Sequence, residues 1–177
     1  MDIKNNFTDP NELENKIFKT FESLAKEYFG WEKEEKTNTN ITKEIKHRIG
    51  EVLKGHGFLV SSSEHDAEWL FDLVAYTNND EGYLRTVELA LESELSARKE
   101  RDLKVDFEKL LAANCEQKIM ICFAEGNFNH PSSVNNIIDH FDRFIKSFRA
   151  HAPNSRYLIL IWDDYTTGDV YPHLITT

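Results

Sequence analysis

Three carboxylates are the residues of this sequence whose types and spacing could do chemistry together. Glu92 and Glu94 close the stretch 83–94, Tyr-Leu-Arg-Thr-Val-Glu-Leu-Ala-Leu-Glu-Ser-Glu. A strand sends alternate side chains to the same face, which predicts Val87, Leu89 and Leu91 on one side and Glu88, Ala90, Glu92 and Glu94 on the other. Glu92 and Glu94 stand two strand positions apart, about 6.6 Å along the backbone, close enough to serve one metal site. Carboxylates crowded on one face repel, and burial strips their hydration unless a cation or a proton compensates. A second predicted strand, 69–76, carries the lone carboxylate Asp72 in its middle, where aspartate is disfavoured. Turn residues at 78–82 join the two strands, so they should pair antiparallel with Asp72 beside Glu92. Lys109 follows on a helix, three residues after Asp106, and an Asp106–Lys109 ion pair is its plainest explanation. The plain account of the acidic strand is an edge strand with a solvated face.

The elements that must position these groups are legible as periodicities. Asp9-Pro10-Asn11-Glu12 reads as a helix start with Asp9 as N-cap, and Leu13, Ile17, Phe21, Leu24 and Tyr28 follow at helical spacing until Gly30. Residues 31–40 read as a polar linker. A second helix is expected over 41–54, burying Ile41, Ile45, Ile49, Val52 and Leu53, with Glu44, Arg48 and Glu51 on an adjoining stripe that alone is an ion-pair face. Short strands are expected at 58–60, 69–76 and 83–94, with Glu64-His65-Asp66 as a polar turn. A helix at 102–114 follows, with an apolar stripe of Leu103, Phe107, Leu110 and Leu111. The strands at 118–124 and 157–162 are apolar throughout, as in a sheet covered on both faces. Between them lies a helix capped at Ser132 or Ser133. A weaker strand at 169–175 belongs at an edge because Pro172 interrupts it. Three strands in a meander, followed by crossover helices, imply an α/β fold: a mixed central sheet of about five to six strands with helices on both faces. One domain over 1–177 is expected, with 1–40 as an N-terminal helical extension and linker.

Composition narrows the function classes. A formal net charge of −10 over 177 residues argues against broad attraction to nucleic acid, though not against a local basic groove such as Arg98-Lys99-Glu100-Arg101. No apolar run spans a bilayer and the first residues hold no signal core, so a cytoplasmic protein without membrane partners is expected. Cys115 and Cys122 lack metal-pair spacing and read as reduced structural thiols. The seven histidines show no metalloprotease spacing, and neither a phosphate loop nor a nucleophile elbow occurs.

The element order, with Asp72 on the second strand and Glu92-Ser93-Glu94 on the third, resembles the PD-(D/E)xK superfamily, the restriction-endonuclease-like fold. The resemblance runs from about Ile41 to Trp162. It implies magnesium or manganese held by Asp72 and Glu92, with the Ser93 carbonyl as a further ligand and a glutamate of the preceding helix, Glu44 or Glu51, assisting. The position usually taken by lysine is Glu94, as in some restriction enzymes of the superfamily. In other members the lysine migrates to the following helix, where Lys109 is the matching residue. Glu92-Ser93-Glu94 followed by Asp106-Phe107-Glu108-Lys109-Leu110-Leu111 also resembles a group of bacterial proteins given this fold. The chemistry implied is metal-dependent phosphodiester hydrolysis, of DNA first of all, with catalytic Asp72, Glu92, Glu94 and Lys109. A homodimer would suit the cutting of both strands. The alternative is a noncatalytic nuclease-fold module that binds or regulates a protein partner through its acidic surface.

Overall fold

In the computed structural model, residues 2–65, 69–96, 100–124, 130–163 and 168–177 are described, those at 100–102 and 130–132 by backbone alone. The chain runs α1 (Glu12–Tyr28), α2 (Asn38–Gly55), β1 (Leu59–Ser62), β2 (Leu73–Asn78), β3 (Leu84–Glu94), α3 (Glu100–Ala112), β4 (Gln117–Phe123), α4 (His130–Ser147), β5 (Arg156–Trp162) and β6 (Val170–Thr176). The order of helices and strands is the one the periodicities give. The six strands form one mixed sheet in the order β1-β2-β3-β4-β5-β6. The β1–β2, β2–β3 and β5–β6 pairs are antiparallel, while β3–β4 and β4–β5 are parallel. Pro172 thus lies on an edge strand, where its missing N–H breaks no interior ladder.

Each face of the sheet carries its own core. On one, α1 and α2 bury Ile17, Phe21, Ile41, Ile45 and Ile49 against Leu89, Leu91, Ile119, Leu158 and Trp162. On the other, α3 and α4 bury Phe107, Leu110, Ile138 and Phe141 against Ala90, Met120, Cys122, Tyr157 and Ile159. Coverage on both faces explains why β4 and β5 are apolar at successive positions. The charged exception in β4 is Lys118, which is buried and donates to the Cys115 carbonyl and, at 2.8 Å, to Ser155 Oγ. Its ammonium lies 5.0 Å from the centre of the Tyr157 ring, and burial pulls its pKa down. Both cysteines are buried and unpaired with each other. Among the described residues no helix is long and apolar enough to cross a membrane.

Three expectations about helix starts are corrected. The N-cap of α1 is Asn11, not Asp9. Its side chain accepts from the Glu14 N–H, and Glu14 accepts from the Asn11 N–H, both at 2.8 Å. Asp9 instead has φ 56, a left-handed turn. α2 starts at Asn38 behind the N-cap Thr37, so the linker ends earlier than expected. Ser132 and Ser133 lie within α4 rather than capping it, because the helix begins at His130.

Val87 packs in the α3–α4 core, opposite Leu89 and Leu91. The cause is a β-bulge: Ala75 pairs with Leu89 and Tyr76 with Val87, so Glu88 is the extra residue and the alternation reverses there. The remaining boundaries in the second half shift by one or two residues, which is ordinary for element ends.

Candidate active site at the end of the central sheet

The C-terminal end of β3 and the N-terminal end of β2 lie side by side, since Leu73 pairs with Leu91. Asp72 is not in mid-strand, as expected from 69–76, but immediately ahead of β2. Its carboxylate replaces the ladder at this point. Oδ2 accepts both the N–H and the Oγ–H of Ser93, each at 2.8 Å, and Oδ1 lies 3.3 Å from Lys46 Nζ of α2. A carboxylate that takes two donors from the neighbouring strand fixes the register where the two strands part.

Glu92 sits on the other helical layer, in the same alternation as Ala90. It is 4 % exposed. Lys109 Nζ of α3 lies 3.1 Å from its Oε1 and 2.6 Å from Asp106 Oδ1. Burial, and next the negative charge of Asp72, push the Glu92 carboxyl up to about 7, against the pull of Lys109. Burial pulls Lys109 down, but its hydrogen bonds to Asp106 and Glu92 prevail and hold it above the usual lysine value. Asp72 is therefore tied to α2 and Glu92 to α3, and the two carboxylates still feel each other at the sheet end.

Glu94 ends β3 and turns the chain: its Oε1 accepts from the Ser96 N–H and Oγ–H, both at 2.7 Å. It lines an open cleft of about 400 Å³ together with Lys43, Lys46, Ser63, Ser93 and Ser96. The α2 glutamates are spent elsewhere. Glu44 pairs with Arg48 at 3.0 Å, Arg48 reaches Glu27 of α1 at 2.7 Å, and Glu51 pairs with Lys54 at 3.0 Å. Among the described residues, neither glutamate contacts Asp72 or Glu92. The segment Arg98-Lys99-Glu100-Arg101 lies outside the described side chains.

Lys46 is the site residue that sequence reasoning missed. A signal was present, because Lys46 lies three residues before Ile49 and beside Ile45, at the border of the apolar stripe, where lysine is rare unless paired. Its side chain is 8 % exposed.

In donor type, the Asp72 and Glu92 carboxylates suit a hard divalent ion. Burial first, and then the charge of Asp72, push Glu92 toward its protonated form, and a bound cation would offset both effects. Asp72 and Glu92 would hold the ion. No protein-family model, curated protein or solved structure matches the chain.

Proposed function

We propose that the chain is a divalent-metal-dependent phosphodiester hydrolase of the PD-(D/E)xK type, acting on DNA. The observation that carries this reading is the contact of Lys109 with Glu92 at 3.1 Å beside Asp72. It supports a helix-borne lysine serving where Glu94 occupies the motif position. Magnesium or manganese, when bound, would lower the pKa of an attacking water and stabilise charge on the phosphate. Asp72 and Glu92 would hold the metal. Lys109 steadies the negative charge that develops on the phosphoryl oxygens, and Glu94, at the open end of β3, accepts a proton from water. Lys46 anchors Asp72 and adds positive charge to the cleft that it lines with Glu94. A cytoplasmic setting and a homodimer that cuts both strands accompany this reading.

Plasmid nicking in magnesium or manganese tests it. Wild type is expected to nick, and Asp72→Asn and Glu92→Gln to abolish nicking. Lys109→Met should slow it by roughly 10²–10³, the usual cost of removing one preorganised charge-stabilising donor. A folded wild-type chain that neither nicks DNA nor binds magnesium in calorimetry would leave the noncatalytic partner-binding module as the better reading.

A further inference from the structure

Away from the sheet end, three side chains of metal-ligating type meet on α2. His47 and Glu51 stand one helical turn apart, and His65, from the turn after β1, lies against them. One ligand atom from each falls within 4.8 Å of the other two. The close approach of His65 depends on Gly50: a Cβ there would stand 2.0 Å from His65 Nε2. The glycine thus leaves room for the imidazole on the helix surface.

The hydrogen bonds fix which ring nitrogen is available. His65 Nε2 lies 3.2 Å from the carbonyl oxygens of both Lys46 and His47. Carbonyl oxygens only accept, so Nε2 carries the hydrogen and Nδ1 keeps its lone pair. That lone pair faces the Lys54 ammonium at 3.0 Å, which can only donate. The same ammonium is 3.0 Å from Glu51 Oε1. A cation therefore already bridges Glu51 and His65, while the His47 ring stacks on His65 with centroids 5.7 Å apart.

We infer that His47, Glu51 and His65 form a binding site for a first-row transition cation of the zinc class. The ligands are His65 Nδ1, a ring nitrogen of His47 and the Glu51 carboxylate, with the fourth position left to water. Two imidazoles and one carboxylate suit zinc or cobalt rather than magnesium, which takes oxygen donors. His65 Nδ1 and Glu51 Oε1 are 3.9 Å apart; tetrahedral bonds of about 2.1 Å would place them ~3.4 Å apart. The closure needed is small, and the exposed Lys54 has only to swing outward. The carbonyls behind His65 Nε2 are the kind of outer partners that orient metal-bound imidazoles. This site shares no ligand with the carboxylates at the sheet end, and a bound ion would fasten the turn after β1 onto α2.

Cobalt titration of the metal-free full chain tests the inference, read by visible d–d absorption roughly one pH unit above the ordinary imidazole pKa of about 6.5. One tetrahedral cobalt per chain is expected, displaced by zinc and not by magnesium. His47→Ala and Glu51→Ala should each weaken binding by at least about tenfold. Gly50→Ala should weaken it too, by displacing His65, although it favours the helix. Lys54→Met should strengthen binding, because the ion no longer displaces an ammonium. Asp72→Asn with Glu92→Gln should leave the complex unchanged, which separates this site from the proposed nuclease centre. No complex in excess cobalt, or a complex that His47→Ala and Glu51→Ala leave unmoved, overturns the inference.

Discussion

Glu92 concentrates the electrostatics of the sheet end in one residue. In the unfolded chain it titrates near its ordinary 4.5, and in the folded protein burial and the Asp72 charge raise it to about 7. Between those values the folded chain holds a proton that the unfolded chain has lost. The contribution to stability is therefore full below pH 4.5, falls as pH rises, and levels off above pH 7. Its size is of order 3 kcal/mol, at about 1.4 kcal/mol for each tenfold change in proton affinity. In metal-free buffer, Glu92→Gln should flatten that slope, so that the variant gains on wild type at alkaline pH and not at acidic pH. Lys109 keeps Asp106 as a partner at 2.6 Å in the variant, so no cation is stranded. Urea unfolding at both ends of the window measures the difference. A variant whose pH profile runs parallel to wild type would show that Glu92 is ionised in the folded protein at neutral pH.

At the scale of elements, α1 is clamped to the start of β5 by a buried ion pair. Glu14 is 1 % exposed, and Arg156 grips it with two bonds, Nε to Oε1 and Nη2 to Oε2, both at 2.7 Å. Glu14→Ala would strand the guanidinium and remove the capping box together, and should cost roughly 3–5 kcal/mol. Arg156→Ala should cost a similar amount. The double variant should cost clearly less than the two together, because each single variant leaves an unpaired charge behind. Urea midpoints for the four proteins close the cycle. This clamp also explains what the sequence could not show. Asp9 with Glu12 and Asn11 with Glu14 both have capping-box spacing, and the partner that distinguishes them is 142 residues away. Helix and strand periods are local, so the order of all ten elements could be read from the chain. The bulge at Glu88 depends on pairing with β2 and has no local signature; Lys46 shows at the border of the α2 apolar stripe, but its role depends on where Asp72 turns. Asp72 and Glu92 stand out because charged residues interrupt otherwise apolar patterns, whereas Lys109 lies on a polar stripe of α3 and is singled out only by the family resemblance. Glu44 and Glu51 interrupt none, and their ion pairs on α2 accord with that.

At the scale of the whole molecule, the sheet end joins two helical layers that otherwise pack on opposite faces. Lys46 brings α2 to Asp72, and Lys109 brings α3 to Glu92. A divalent ion held by both carboxylates would therefore cross-link the layers, and an ion that binds only the folded chain must stabilise the whole of it. The gain is about 2.7 kcal/mol at a hundredfold excess over Kd. For a chain of this size each kcal/mol moves Tm by roughly 2–4 °C, so saturating magnesium should raise Tm by roughly 5–11 °C. Asp72→Asn and Glu92→Gln should each remove that increment, whatever they do to the baseline. His47→Ala should leave it intact, since its imidazole belongs to the other cluster. Proton competition adds a sign: Glu92 must lose its proton to bind the ion, so the magnesium increment should shrink as pH falls below about 7. Thermal melts of the three variants and wild type, with and without magnesium at two pH values, decide the matter. An increment that survives Glu92→Gln would place the ion elsewhere, and the proposed division of labour between Asp72 and Glu92 would fall with it.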